Sequence, residues 1–162
     1  MKKTWQEKMV DKEGYPKVLR LDKNFPCYNA LQKMNVEEGD DVVLVNPSHV
    51  VQLMKSVPRG KLVTIREICM KIARDFSVEG CCSLTAGIFI TIAANATEEA
   101  KREGRDLDIP YWRTLKADGF LNEKFPGGLE AHKALLESEG HRILRRGKKY
   151  SVQDFEKCLI EL

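Results

Sequence analysis

Pro110, Tyr111, Trp112 and Arg113 stand side by side and combine three kinds of reactive or recognising side chain. A phenol can be a nucleophile or proton donor, an indole N–H donates but accepts nothing, and a guanidinium binds carboxylates or phosphates. Tyr111 needs a base beside it to react, because an ordinary phenol titrates near ~10 and is neutral at pH 7. The neighbouring sequence supplies none, and Trp112 cannot take a proton. The other reactive pair is Cys81-Cys82, placed in a turn, where no Lys, Arg or His adjoins to stabilise a thiolate. The five cysteines make neither an even framework nor a CxxC pair. That argues against a disulfide scaffold and against a zinc site, and leaves most of them as small buried hydrophobes.

The elements that must position these residues are legible from caps and periodicity. Asp41 to Val45 is a short β-rich apolar run and is predicted as a strand. Pro47 and Ser48 introduce a helix through Met54, ended by Pro58-Arg59-Gly60. Thr64 and Glu67 have capping-box spacing, and Ile65, Ile68, Cys69 and Ile72 then fall on one helical face. After a turn at 77–80 a second helix runs from about Ser83 to Lys101, giving the outline of a helix-turn-helix. A loop carries Pro110 to Phe125, and a helix from Leu129 to Ser138 stops at Gly140. Ile143-Leu144 and Tyr150-Ser151-Val152 predict a hairpin turning at Gly147. Val152, Phe155 and Leu159 predict a short terminal helix capped by Ser151. The first 41 residues are charged, broken by Gly14, Pro16 and Pro26, and predict short helical or irregular pieces wrapped on the body.

From about Val57 to Arg142 the order of features resembles the alkylguanine-DNA alkyltransferases, and most nearly the alkyltransferase-like proteins that lack the acceptor cysteine. The resemblance rests on Pro58 to Thr64 leading into the first helix, on Ala86-Gly87 and Asn95, and on Pro110 and Arg113. Gly127-Gly128 and Glu139-Gly140-His141-Arg142 complete it. It implies an α+β fold, mainly α: a winged-helix-like helix-turn-helix domain over 42–162 with a short strand and a C-terminal β-hairpin. Residues 1–41 form a charged extension in place of the family's large N-terminal domain. Tyr111 stands where the acceptor cysteine would be, and Trp112 replaces the histidine that activates it. Glu139 holds the orienting position. Leu84 replaces the arginine that inserts into the base stack, and Ile65 replaces a tyrosine that helps rotate the target phosphate.

With nucleophile and base both exchanged, the expectation is a protein that is not an enzyme and uses neither metal nor cofactor. It would bind double-stranded DNA and recognise alkylated guanine without alkyl transfer. Tyr111, Trp112, Arg113 and Glu139 are then the candidate lesion pocket, and Ser83, Leu84, Thr85 and Asn95 the candidate DNA contacts. Ser83 and Thr85 can contact phosphate from the helix N-terminus or simply cap it. The alternative is a protein-interaction or structural module that no longer meets DNA, favoured by the lack of any Lys or Arg from Gly80 to Ala100.

At 162 residues, 43% hydrophobic and 31% charged, the chain is long enough for one compact domain with a proper core. Its net charge of +3 is mildly favourable to a polyanion. The charge is concentrated in His141, Arg142, Arg145, Arg146, Lys148 and Lys149. The longest apolar run, Leu84 to Ala96, is too short to span a bilayer, and the N-terminus lacks the apolar core of a secretory signal, so a cytoplasmic location without membrane contact is expected.

Overall fold

The computed structural model describes residues 2–162. The N-terminal segment begins with a single-turn helix α1 (Trp5–Lys8), closed by a capping box between Thr4 and Glu7. Strand β1 (Lys17–Arg20) and the short helix α2 (Tyr28–Gln32) follow. Strand β1 runs antiparallel to β2 (Asp41–Leu44), with Val18 opposite Val43. β2 also pairs in parallel with β4 (Gly80–Cys81), making a three-stranded sheet in the order β1-β2-β4. The sequence predicts only short helical or irregular pieces here, and β1 departs from that. Three of its four residues are exposed and charges flank its apolar pair, so no buried alternation marks it.

Helix α3 (Pro47–Lys55) starts from an Asn46 cap with Pro47 in its first turn, and buries Val50, Val51 and Met54. Strand β3 (Val63–Thr64) leads into α4 (Ile65–Asp75), and the box expected at Thr64 and Glu67 is present. Ile68, Cys69 and Ile72 are buried as the spacing predicts, whereas Ile65 is only half-buried. α5 (Ser83–Arg102) follows the turn and completes the helix-turn-helix. Its buried face is rich in alanine, with Ala86, Ala93, Ala94 and Ala100 inaccessible, so its backbone lies close against α1, α3 and α4.

A 3-10 turn over Tyr111–Arg113 leads into β5 (Thr114–Leu115), which pairs in parallel with β3. Helix α6 (Gly128–Glu137) and the antiparallel hairpin of β6 (Ile143–Arg146) and β7 (Lys149–Val152) complete the fold. Gly127 adopts φ +81°, and a Cβ there would lie 2.6 Å from the Ala131 Cβ, so the turn into α6 requires glycine. The core has three parts. The largest lies between the sheet, α3, α4, α5 and Tyr111; a second joins α2 to the outer sheet; the third, with Leu62, Leu115, Leu136 and Val152, supports the hairpin.

Two further expectations are corrected. The terminal segment is only a 3-10 turn, Phe155–Cys158, preceded by Asp154 at φ +54° rather than capped by Ser151, which lies in β7. The chain is drawn into extended pairing instead: Leu62 N–H donates to the Cys158 carbonyl at 2.9 Å and Ile160 N–H to the Leu62 carbonyl at 3.0 Å. The cysteines are also not all inert thiols. Cys27 and Cys82 are joined by a disulfide, with Cα atoms 5.9 Å apart and 55 positions between them in sequence. Cys81 lies in β4 rather than in a turn, and Cys82 is the α5 N-cap.

Candidate functional site

The Tyr111–Arg113 turn is fixed from both sides by its own backbone, Tyr111 N–H donating to the Ile109 carbonyl and Arg113 N–H to that of Pro110. Tyr111 points inward and is 1% exposed. Its ring packs edge-on against Trp112 and Phe125, with centroids 5.4 and 5.3 Å away. The Gly127-Gly128 turn follows Phe125 after Pro126, and Gly128 N–H donates to the Phe125 carbonyl at 3.0 Å, which ties that glycine pair to the packing over Tyr111. The phenol donates to Glu98 Oε1 on α5 at 2.9 Å. Burial, then the hydrogen bond to Glu98 and the charge of that carboxylate, push the phenol well above its ordinary value of 10. The phenolate is therefore strongly disfavoured. Sequence reading found no acceptor beside Tyr111, because Glu98 lies thirteen positions upstream on another element and no local spacing reveals it.

Trp112 and Arg113 turn instead toward Glu139. The indole N–H donates to Glu139 Oε2 at 2.8 Å, and the guanidinium grips the carboxylate through Nε at 2.9 Å and Nη2 at 2.8 Å. Gly60 N–H adds a bond of 3.2 Å, while Arg113 Nη1 donates to the Val57 carbonyl at 2.7 Å. The Glu139 side chain is only 2% exposed. Burial pushes its carboxyl upward, but donation from Arg113, Trp112 and Gly60 together with the Arg113 charge outweighs burial and holds it below its ordinary value. Both oxygens are occupied, so Glu139 ties three segments together rather than serving as a free acid or base. Three of the residues that carry the resemblance, Gly60, Arg113 and Glu139, thus meet in one polar knot.

Beneath the turn, His132 of α6 is buried with Nδ1 accepting from Asn122 N–H at 3.2 Å and Nε2 bonded to the Trp112 carbonyl at 2.8 Å. Burial lowers its pKa to about 4, and the carbonyl bond only partly opposes this. The imidazole is neutral, with its proton on Nε2. Sequence reading missed His132, and only its place on the apolar face of α6 could have drawn attention to it.

A cavity of about 290 Å³ opens beside the turn, lined by Lys55, Lys101, Asp106, Asp108, Trp112 and Arg113 among others. Tyr111 is absent from its lining, so of the pocket candidates Trp112 and Arg113 border open space while Tyr111 and Glu139 lie behind them. The DNA-contact candidates lie on α5. Leu84 and Ile88 are 51% and 58% exposed, and Thr91 and Asn95 continue the same stripe at helical spacing. Asn95 Nδ2 donates to the Thr91 carbonyl and Thr91 Oγ1 to that of Gly87. Neither Ser83 nor Thr85 is the cap: Cys82 holds that place, and its sulfur accepts from Thr85 N–H at 3.5 Å. Ile65 packs against Gly87 at the crossing of α4 and α5.

No family model matches the chain, and no curated protein matches it. Among solved structures, Atl1 of S. pombe in complex with damaged DNA containing O6-carboxymethylguanine aligns with a TM-score of 0.50 and 18% identity. The alignment covers 72% of this chain and 94% of that one. The chain has the Atl1 fold. A second S. pombe ATL structure, in complex with DNA, covers the same shares at 18% identity and a TM-score of 0.48. The Atl1 fold accounts for the α+β architecture with its helix-turn-helix and C-terminal hairpin. Among the described residues no helix is long and apolar enough to cross a membrane.

Proposed function

We propose that this protein is a non-enzymatic, alkyltransferase-like DNA-binding protein that recognises alkylated guanine without accepting the alkyl group. The observation that carries the reading is the state of the acceptor position. Tyr111 is buried, its phenol is bonded to Glu98, and the carboxylate that would orient a base is occupied by Trp112 and Arg113. No activated nucleophile is assembled there. The Atl1 fold supports the DNA-binding half of the reading, since the similar structure holds damaged DNA. An extruded base would enter the cavity beside Trp112 and Arg113, where the indole ring could stack on it and the N–H groups that Arg113 does not spend on Glu139 and Val57 could donate to it. Leu84 would act as an apolar wedge at the vacated position, with Ser83 and Thr85 beside it and Asn95 about three turns further along α5. The test is titration of duplex oligonucleotides with and without an O6-alkylguanine. Binding should be salt-sensitive, tightened by the lesion and weakened by Trp112→Ala, with the protein's intact mass unchanged. Indifference to the lesion, or a mass increase by one alkyl group, would refute it.

One observation favours a second reading, an interaction module for a protein partner. The uncharged face of α5 at Leu84 and Ile88 continues into a cavity of about 460 Å³ between α5 and the N-terminal segment, lined by Val10, Tyr15, Ile88 and Phe89 among others. A partner recovered from nuclease-treated extract, and lost with Ile88→Asp, would establish it in place of the first.

A further inference from the structure

The chain's excess positive charge is concentrated in the β6–β7 hairpin and Arg142 just before it. Arg142, Arg145, Arg146, Lys148 and Lys149 are exposed, and no Asp or Glu occurs from Gly140 to Gln153. These five cations exceed the formal net charge of +3, so the remainder of the molecule is net acidic. Among the described residues none of the five forms an ion pair. Asp118 and Glu123 share a cleft with Lys148 and Lys149 but pair with neither, Glu123 being held by Lys116 at 2.7 Å, and Glu130 accepts from the Tyr150 hydroxyl. The β6–β7 register also sets Arg146 directly opposite Lys149. Like charges in that arrangement destabilise a ribbon, and an acid at either position would relieve it. Folding alone does not account for this pattern.

The ribbon is held firmly enough to present the charge. Ile143 and Val152 pack into the third part of the core, Leu121 N–H donates to the Tyr150 carbonyl at 2.9 Å, and Val152 N–H to that of Gly119 at 3.2 Å. At the tip, Gly147 adopts φ +63° in a two-residue turn, and Arg145 Nε donates to the Gly147 carbonyl at 3.0 Å. Lys149 lies over the Phe120 ring at 5.4 Å. The result is a narrow two-stranded ribbon with cations on both faces, of a width that a duplex groove admits.

We infer that the β6–β7 hairpin is a phosphate-backbone contact for duplex nucleic acid, supplying the cations that the Leu84-to-Asn95 stripe of α5 lacks. This rests on the DNA-binding reading above and adds to it the surface that carries the salt-dependent part of affinity. Phosphate contacts of this kind position the duplex without reading its sequence. Lesion recognition therefore remains with α5 and the cavity beside Trp112.

The test is fluorescence anisotropy of a labelled duplex across a sodium chloride series. Wild type is compared with a quadruple variant, Arg145→Ser, Arg146→Ser, Lys148→Ser and Lys149→Ser, whose folding is checked by circular dichroism. Each phosphate contact removed should lower the slope of log K against log salt by about 0.9, so the variant should lose up to about 3.6 in slope. A charge-preserving variant, Arg145→Lys with Arg146→Lys, should keep the wild-type slope. If wild type binds and the quadruple variant keeps its slope, the hairpin assignment is wrong while the DNA-binding reading stands. If the slope collapses but neither protein distinguishes alkylated guanine, the hairpin assignment stands and lesion recognition falls. Absence of duplex binding by wild type at low salt overturns both. An RNA duplex of matching sequence, run in parallel, identifies the source of the phosphates: tighter binding to RNA overturns DNA as the ligand.

Discussion

Helix α5 and the β6–β7 hairpin are opposites in almost every physical respect. α5 is pinned at both ends. Its N-cap is disulfide-bonded to Cys27, and Glu99 near its C-terminus accepts from the backbone N–H groups of Trp5 and Gln6. Its exposed stripe is uncharged and partly apolar, with no Lys or Arg from Gly80 to Ala100. The hairpin rests on a small core by one edge and presents little except charge. A single recognition element would need both a wedge and its counter-charges. Here the two are assigned to separate elements, so duplex attraction and base-level recognition should respond to different substitutions and be separable by salt.

The largest break in this arrangement is expected at Glu139, which lies just after α6 and before the hairpin and binds the turn packed under α5. Glu139→Gln keeps the shape but removes the charge from a nearly buried pair, leaving Arg113 without its counter-ion. Removing one partner of such a pair costs about 3–5 kcal/mol, and a fall of that order in urea-unfolding stability is expected. The pH dependence has a definite sign. The folded carboxyl titrates below 4.5, so its contribution is fully present above 4.5 and is lost as pH falls through the lower folded value. Glu139→Gln should abolish that acid limb. If the variant is as stable as wild type, the knot does not join the two regions.

A slightly smaller effect, in a different pH window, is expected at His132, beneath the Trp112 carbonyl. Its pKa is lowered from 6.5 to about 4, so between these values the unfolded chain binds a proton that the folded chain refuses. Stability is therefore present above 6.5 and declines as pH falls toward 4, by roughly 3 kcal/mol at 1.36 kcal/mol per pH unit. His132→Gln can still donate to the Trp112 carbonyl and has no proton to gain. Its stability should lose most of that slope, the remainder belonging to His141, which burial also lowers from 6.5. An unaltered slope would mean that another group on the hairpin side dominates acid unfolding.

The legible part of this molecule was the part encoded locally. Thr64 and Glu67 announced α4, Gly140 ended the helix before it, and Gly147 marked the hairpin turn, because caps and tight turns are written in adjacent residues. Features fixed by distant partners were not legible. β1 depends on β2 more than on its own pattern, Cys27 meets Cys82 across 55 positions, and the C-terminal segment gives up a helix to pair with Leu62. At the site, Trp112, Arg113 and Glu139 stand among the residues the sequence groups together, and hydrogen bonds join those three, while Tyr111 turns away to Glu98. Whether Tyr111 lines a pocket or plugs one depends on Glu98 and Phe125, which no spacing connects to it.

The smallest expected effect sharpens the contrast most directly. Leu84 is half exposed at the start of α5, and Leu84→Arg places a cation there without disturbing the core. Should α5 lie against the duplex, the new guanidinium can contact one phosphate, steepening the salt slope by about 0.9, or enter the base stack and raise lesion discrimination with little change in slope. In the quadruple hairpin variant the same substitution should add a similar increment, since the elements are distinct and their contributions should add. Addition on both backgrounds places α5 and the hairpin on the duplex independently. No response on either background would mean that α5 faces something other than DNA, leaving the hairpin as the sole charged contact and favouring the partner-binding reading for the groove beside Ile88.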